Sequence, residues 1–230
     1  MCGRYSLDAT PQELVEAFAL AEAIAFKPRY NIAPTQSVPV VRVDPEAGDR
    51  RAALLRWGMA TPRFGGARPL INARSETIEQ KPSFRDAFRQ RRCLVPATGF
   101  FEWQKLGTAR QPFHICGRGG GLLGFAGLWD RGPAEEGDQP EAFVILTTAP
   151  NRAMSGIHDR MPVIIDTSGW DLWLDPRQPA DRLRPLLGPA PDDMLAARPV
   201  SRRVNSTDHD DRACIEPLVR HSDRFSEELF

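Results

Sequence analysis

The sequence has no excess of charge of either sign. Lys and Arg number 30, Asp and Glu also number 30, and the formal net charge at pH 7 is zero across 230 residues. A protein that coats nucleic acid through a generally basic surface is therefore excluded. Any contact with nucleic acid has to come from a local cluster of cations.

Long apolar runs are also missing. No stretch approaches the roughly 20 apolar residues that span a bilayer, and the amino terminus has neither the basic start nor the apolar segment of a signal peptide. We therefore expect a cytoplasmic protein that has no membrane partner.

Cysteine is scarce and scattered. The four cysteines are Cys2, Cys93, Cys116 and Cys214. They form no C-x-x-C pair, and no histidine lies at the spacing of a zinc site. We expect free thiols, no structural metal and no cofactor.

What the chain does contain is a series of short apolar runs with turn residues between them. Such runs predict a mainly antiparallel sheet that closes into a barrel. The predicted strands are residues 38–43, 52–57, 93–96, 100–103, 122–128, 143–147 and 163–165.

Helices are predicted around this sheet. Thr10, Pro11 and Glu13 supply the capping hydroxyl, first-turn proline and carboxylate of a helix over residues 11–19. Further helices are expected over residues 83–91, 168–174 and 180–187. The predicted class is α+β with a large β portion. One domain fits this length, and we place it at residues 1–207, before a partly disordered tail at 208–230.

The second residue is chemically unusual. Removal of Met1, which a small second side chain permits, would leave Cys2 with an α-amine beside a thiol. An α-amine has a pKa of about 7.7 to 8.0 against about 10.4 for lysine, so far more of it is neutral near pH 7. Such an amine condenses with an aldehyde to an imine, and the thiol then closes a thiazolidine ring. The ordinary alternative is that cysteine is merely a permissible second residue.

Two further residues are candidates for acid and base chemistry. Glu102 lies among aromatic residues in a predicted strand, where burial can raise a carboxyl pKa, and a surface strand glutamate is the alternative. His158 stands next to Asp159, just before a strand, and is the best acid or base candidate among the four histidines. A satisfied structural histidine is the alternative there.

Asn72 and Arg74 lie two residues apart, so on a strand they would face the same side. Asn72 could orient a substrate oxygen while Arg74 holds a phosphate. A loop asparagine beside a solvated arginine is the ordinary reading. Further arginines could add to a basic patch, namely Arg4, Arg29, Arg202 and Arg203.

Taken together, the motifs resemble the signature blocks of the SOS response-associated peptidase (SRAP) family, in family order and across nearly the whole chain. The blocks are Met1-Cys2-Gly3-Arg4-Tyr5, Tyr30-Asn31-Ile32-Ala33-Pro34-Thr35, Trp57-Gly58, Ile71-Asn72-Ala73-Arg74-Ser75-Glu76, Gly99-Phe100-Phe101-Glu102-Trp103, Gly156-Ile157-His158-Asp159-Arg160-Met161-Pro162 and Val200-Ser201-Arg202-Arg203-Val204-Asn205.

The resemblance implies a β-rich fold with a groove for single-stranded DNA and a catalytic amino-terminal cysteine at its floor. In that reading Cys2 is the nucleophile, Asn72 orients the sugar aldehyde, and Glu102 and His158 transfer protons. The family positions that contact DNA correspond to Arg4, Pro34, Arg74, Trp103 and Arg160.

The function implied is covalent capture of abasic sites in single-stranded DNA, with self-removal of Met1 as an associated cysteine peptidase activity. We expect a monomer that joins the nucleoid when it binds DNA. Two alternatives stay open: a cysteine peptidase acting on other proteins, and a reversible reader of single-stranded or modified DNA.

One departure from the family pattern concerns the segment after Trp57-Gly58. Some members carry tryptophans there that wedge against the bases, whereas this chain has Met59-Ala60-Thr61-Pro62-Arg63-Phe64. Phe64 is the aromatic residue that could substitute for them. The change puts in question a preference for junctions between single-stranded and double-stranded DNA.

Overall fold

The computed structural model describes residues 2–44, 46–59, 69–131 and 141–218. The predicted role of Phe64 therefore lies outside the described residues. The strands are β1 (Tyr5–Leu7), β2 (Arg29–Ile32), β3 (Ser37–Val43), β4 (Arg50–Trp57), β5 (Asn72–Arg74), β6 (Arg92–Ala97), β7 (Gly99–Leu106), β8 (Ala109–Gly117), β9 (Leu123–Asp130), β10 (Ala142–Thr148), β11 (Met161–Pro162), β12 (Ile164–Ile165) and β13 (Leu195–Pro199).

These strands form two sheets. One has five strands in the order β13-β8-β7-β1-β2, and the other has eight strands, with the order β11-β10-β4-β3-β6-β9-β12 and with β5 paired to β10. Because β10 also pairs with β9, strands β10, β4, β3, β6 and β9 close into a ring. Strands β4 and β5 run parallel to β10, and the other pairs of the described strands are antiparallel. The predicted mainly antiparallel, barrel-like α+β fold is confirmed.

The helices are short and lie outside this sheet system. They are α1 (Pro11–Phe18), α2 (Pro82–Gln90), α3 (Arg152–Ser155), α4 (Trp170–Leu174) and α5 (Ala180–Leu183), with 3-10 turns at Ser75–Thr77, Thr167–Gly169, Arg184–Leu187, Arg202–Asn205 and Arg212–Cys214. In α1 the side chain of Thr10 accepts from the Glu13 amide while Glu13 caps Thr10, as predicted. The predicted helices at 168–174 and 180–187 each divide into an α-helix and a 3-10 turn.

Alternation along the eight-stranded sheet divides its side chains between two cores. Val95, Phe125 and Ile145 belong to the core shared with the five-stranded sheet, which also holds Cys2 and Tyr5. Their neighbours Leu94, Ala126 and Val144 belong to the core that packs against the helices. This period-two division places the amino terminus between the two sheets.

The segment after residue 207 packs on the domain as far as residue 218. Cys214 is buried with Phe101, Val200 and Val204 against the five-stranded sheet, and the carboxylate of Asp210 accepts the amides of β2. In the predicted tail, residues 208–230 with partial disorder, residues 208–218 thus pack on the domain. Residues 219–230 lie outside the described part of the chain.

Among the helices of the described segments, none combines the length and the apolar character needed to cross a membrane.

Candidate active site

Cys2 lies at the floor of the site because the residues before β1 are held from several directions. The carbonyl oxygen of Cys2 accepts a 2.8 Å hydrogen bond from Asn72 Nδ2. The carbonyl oxygen of Arg4 accepts the amide of Phe101 on β7 at 3.0 Å, and the thiol of Cys2 lies 3.7 Å from the same oxygen. The Cys2 side chain is fully buried.

Asn72 reaches Cys2 from the other sheet. It begins β5, which runs parallel to β10 with Asn72 opposite Ile145. Its side-chain nitrogen donates to the Cys2 carbonyl, while its buried Oδ1 has no hydrogen-bond partner within the described segments. A buried amide oxygen with spare accepting capacity is expensive to leave unused, so Oδ1 is available to a donor on a bound substrate.

Glu102 lies on β7 with only 3% of its surface exposed. Burial raises the pKa of its carboxyl from an ordinary 4.5 to about 7. Near neutral pH both protonation states are therefore populated, which is the condition for a group that takes and returns protons.

His158 lies in the loop after α3. Its amide donates to the Met154 carbonyl at 3.0 Å, and Gln104 of β7 donates to the Gly156 carbonyl at 2.9 Å, which ties this loop to the strand that carries Glu102. The Nε2 atom of His158 lies 3.7 Å from Oε2 of Glu102.

The other imidazole nitrogen orients the ring. Nδ1 lies 3.0 Å from the amide and 3.3 Å from the carbonyl of Arg160, which fixes the ring with Nε2 facing Glu102. The exposed carboxylate of Asp159 also lies 3.0 Å from Nδ1 and favours the charged ring. Burial, the largest influence, lowers the pKa of His158 below its ordinary value, so the neutral form dominates at pH 7.

The thiol of Cys2 is held in its neutral form. Burial first, and then the negative charge of Glu102, raise its pKa well above the ordinary value. Phe101, which precedes Glu102 on β7, donates to the Arg4 carbonyl that lies 3.7 Å from the Cys2 thiol, so β7 brings Glu102 close to Cys2. The structure thus brings Cys2, Asn72, Glu102 and His158 into one group, which we call the Cys2 cluster.

The three arginines predicted to contact DNA differ in what their guanidinium groups do. Arg4 donates to Asn31 Oδ1 and the Val204 carbonyl, both at 2.8 Å. Arg160 makes a two-pronged ion pair with Glu76 at 2.6 and 2.9 Å and donates to the Thr147 carbonyl. Only Arg74 is exposed without an ion pair to any described residue.

The two predicted groove residues are both half-buried. Trp103 lies one residue after Glu102 on β7 and donates from its indole nitrogen to Asn205 Oδ1 at 2.8 Å. Pro34 follows β2, just before Thr35, which has a φ of 74° and donates its amide to the Trp57 carbonyl. Trp103 thus lies within β7 and Pro34 just past the end of β2, the two strands that flank β1.

Reasoning from the sequence assigned no role to Asn31, yet it is the centre of a buried polar cluster. Its Nδ2 lies 2.7 to 3.2 Å from three carbonyl oxygens, of Val204, Ser206 and His209. The backbone amide of Asn31 donates to the carboxylate of Asp210, which also forms an ion pair with Arg29. A polar residue inside the apolar block 30–33 was the available signal. We call Arg4, Asn31, Val204, Asn205 and Asp210 the Asn31 cluster.

Comparison with known proteins gives consistent matches. The family model described as SOS response associated peptidase (SRAP) matches residues 1–207. The abasic site processing protein YoqW of Bacillus subtilis is 35% identical over 224 residues, covering 94% of this chain and 99% of YoqW. The abasic site processing protein YedK of Escherichia coli is 29% identical over 228 residues, covering 95% and 100%.

A solved structure from Bacteroides thetaiotaomicron shares the fold. It superposes with a TM-score of 0.84 and covers 95% of this chain and 100% of its own, at 22% identity. These matches confirm the resemblance drawn from the motifs.

Proposed function

The chain belongs to the SOS response associated peptidase family, and on that premise we propose that it processes abasic sites by bonding Cys2 covalently to the ring-opened sugar in single-stranded DNA. The relatives YoqW and YedK carry abasic site processing in their names. The capture chemistry itself rests on the geometry of this chain.

One observation carries the proposal: the second residue of the chain is fixed at a buried floor beside a carboxyl poised near neutrality. Asn72 holds the Cys2 carbonyl at 2.8 Å, and burial raises the pKa of Glu102 to about 7. A structural cysteine in a core needs neither feature, whereas an amine that must gain and lose protons needs both.

The first bond forms at nitrogen. Once Met1 is removed, the lone pair of the Cys2 α-amine attacks the aldehyde carbon of the opened deoxyribose, and the carbonyl oxygen takes a proton. Loss of one water from this adduct gives an imine. In each step the Glu102 carboxyl gives its proton to the oxygen and regains one from the nitrogen, so both amine protons leave with the water.

The second bond forms at sulfur. The Cys2 thiol adds to the imine carbon, its proton passes to the imine nitrogen, and a thiazolidine ring closes. The overall change is condensation with loss of one water, without oxidation or reduction. Because burial keeps the thiol neutral, the amine is the better first nucleophile, and ring closure gains from the high effective molarity of an intramolecular reaction.

The remaining residues of the Cys2 cluster have supporting roles. The unused Oδ1 of Asn72 accepts a hydrogen bond from the sugar, which orients the aldehyde toward the amine. The neutral His158, 3.7 Å from Glu102, exchanges protons with that carboxyl and assists the opening of the sugar ring.

Binding of the strand is assigned to exposed and half-buried residues around this floor. Arg74 offers a guanidinium with no ion pair to the described residues, and Trp103 and Pro34 offer surfaces for stacking against bases. Contacts to phosphates and stacking are largely independent of base sequence, so the lesion sets the specificity.

A cysteine peptidase acting on other proteins is the second candidate, because the family name includes that activity. Nucleophilic cysteines in peptidases react as thiolates with lowered pKa values, whereas the pKa of the Cys2 thiol is raised. We therefore favour aldehyde capture and assign any peptidase step to the single release of Met1.

The test uses chain from which Met1 has been removed and a single-stranded oligonucleotide with one abasic site. We expect a heat-stable conjugate on a denaturing gel whose intact mass equals protein plus oligonucleotide minus one water. Cys2→Ala should give none, and Cys116→Ala, which removes a free cysteine elsewhere, should react like the parent.

Cys2→Ser separates the two bonds. It keeps the amine but replaces the thiol, so the imine persists and β-elimination should cut more strand than the parent does. A parent protein that retains the strand only reversibly, with Cys2→Ala retaining it equally well, would overturn covalent capture in favour of a reversible reader.

A further inference from the structure

Strand β1, which carries Cys2 at its amino-terminal side, is weakly specified by its backbone. It has only three residues, and its register with β2 shifts between Tyr5 and Leu7. On its other edge it has only two paired residues with β7, Tyr5 opposite Phe100 and Ser6 opposite Gly99. A strand this short, with an irregular partner, needs another device to set its register.

A side-chain bridge across β7 supplies that device. Ser6 Oγ on β1 lies 2.9 Å from Nε2 of His114 on β8, although β7 lies between these strands. The imidazole passes over Gly99, where a Cβ atom would lie 2.4 Å from His114 Nε2 and 2.7 Å from the Ile115 carbonyl oxygen. Only glycine at position 99 leaves room for this contact.

The bridge belongs to a buried chain of hydrogen bonds. The Asp8 amide donates to Thr98 Oγ1 at 3.1 Å, and this hydroxyl lies 3.0 Å from Ser6 Oγ. Ser6 is fully buried and His114 is 6% exposed, and burial lowers the pKa of His114 to about 4. The neutral ring can accept from Ser6, Ser6 from Thr98, and Thr98 from Asp8. The Gly99 carbonyl, 3.3 Å from Ser6 Oγ, is a second acceptor for the Ser6 hydroxyl.

We propose that Ser6 and His114 are positioning residues for Cys2, because their hydrogen bond over Gly99 holds β1 in the register that places the Cys2 amine beside Glu102. The inference rests on the proposed aldehyde capture. Neither side chain touches the substrate. Both act through the main chain of residues 2–6. That main chain is also held by two hydrogen bonds, from the Phe101 amide to the Arg4 carbonyl and from the Asn72 side chain to the Cys2 carbonyl.

The first test measures single-turnover conjugation by Met1-processed protein over a range of abasic oligonucleotide concentrations. Ser6→Ala and His114→Ala should lower the maximal rate constant by about tenfold or more, since displacements near 1 Å carry effects of that order. The half-saturating DNA concentration should stay unchanged, because no strand-binding residue is altered. Ser6→Thr and His114→Gln keep a hydrogen bond and should recover most of the rate.

Two results would overturn the proposal: Ser6→Ala reacting at the maximal rate of the parent, or a slow Ser6→Thr whose thermal stability equals that of the parent. A loss of melting temperature without loss of rate at a temperature where all variants are folded would show a structural role alone.

A second measurement does not depend on the reaction. Amide hydrogen exchange at Phe101 and Thr98, which donate to Arg4 and Ser6, should be faster in Ser6→Ala and normal in Ser6→Thr. If the parent forms no Cys2-dependent conjugate, the proposed function fails, and unchanged exchange in Ser6→Ala would then separately reject the positioning role.

Discussion

The Asn31 cluster and the Cys2 cluster are neighbours, since Arg4 belongs to the first and lies two residues from Cys2 in the second. In the Asn31 cluster both guanidinium ends of Arg4, the Asn31 amide and the Asp210 carboxylate all have protein partners. In the Cys2 cluster the Asn72 Oδ1 has no hydrogen-bond partner among the residues that the structure describes, and burial raises the pKa of Glu102 to about 7.

The Asn31 cluster is rigid, whereas the adjacent Cys2 cluster stays reactive. A polar network whose donors and acceptors are all matched stabilises one arrangement. The Cys2 cluster instead holds a hydrogen-bond acceptor that no described residue fills and a carboxyl whose charged form is disfavoured by burial. It keeps its geometry only because its surroundings are rigid. The Asn31 cluster joins β2, the amino terminus and the 3-10 turn at Arg202–Asn205, and so supplies that rigidity.

The largest effect is expected in the Cys2 cluster. Glu102→Gln keeps the shape of the side chain but removes its proton transfer, and we expect conjugation to slow by about 100-fold. Single-turnover kinetics with the abasic oligonucleotide measure it. Glu79→Gln, which removes a carboxylate paired with Arg184 outside the cluster, is the control, and equal rates for both variants would contradict the assignment.

The next largest effect is expected on the stability of the Asn31 cluster. Asn31→Ala removes the side-chain donor to three carbonyls and one acceptor of Arg4, although Arg4 still donates to the Val204 carbonyl. We expect a loss of about 3 kcal/mol in the free energy of unfolding. Urea denaturation measures it. The exposed Asn205 keeps only its bond to Trp103 through its side chain, and Asn205→Ala should lose less than about 1 kcal/mol. Similar losses for both would remove the distinction between the clusters.

A smaller effect concerns stability against pH. Glu102 has an ordinary pKa of 4.5 and a folded value of about 7, so the folded protein binds this proton more tightly than the unfolded chain. Its contribution to stability is complete below pH 4.5 and is lost as the pH rises through 7. Glu102→Gln should therefore melt higher than the parent at about pH 8 and not at about pH 4.5. The opposite ordering would show that the carboxylate is stabilised in the fold.

The smallest effect separates the predicted DNA-binding arginines. Arg74→Gln should weaken binding of an undamaged single strand several-fold and reduce the slope of log affinity against log salt by about 0.7. Arg4→Gln should lower thermal stability and leave that slope nearly unchanged, because its guanidinium is already used. The exposed Arg182 of α5 is the matched control for loss of one charge. A slope that falls equally for Arg4→Gln would assign Arg4 to the DNA.

Most long strands and the first helix could be predicted because their signals are local. The Thr10 cap and Pro11 define where α1 begins, and short apolar runs between turn residues indicate β3, β4 and β10. The shorter strands β1, β2, β5, β11 and β13 were missed, because two to five residues carry no readable period and form only when a partner edge is present. The nine-residue β8 was missed as well, because Arg110, Gln111 and Pro112 interrupt its apolar residues.

The candidate site divides in the same way. The sequence alone determined that a cysteine follows Met1 and that an asparagine, a glutamate and a histidine stand in motifs typical of one family, since these are properties of residue identity and order. The tertiary structure decided that Asn72 reaches the Cys2 carbonyl, that the guanidinium of Arg4 is occupied, that Ser6 meets His114 above Gly99, and that the Glu102 pKa lies near 7. Burial and hydrogen bonding between residues far apart in the chain depend on packing, and no local pattern records them.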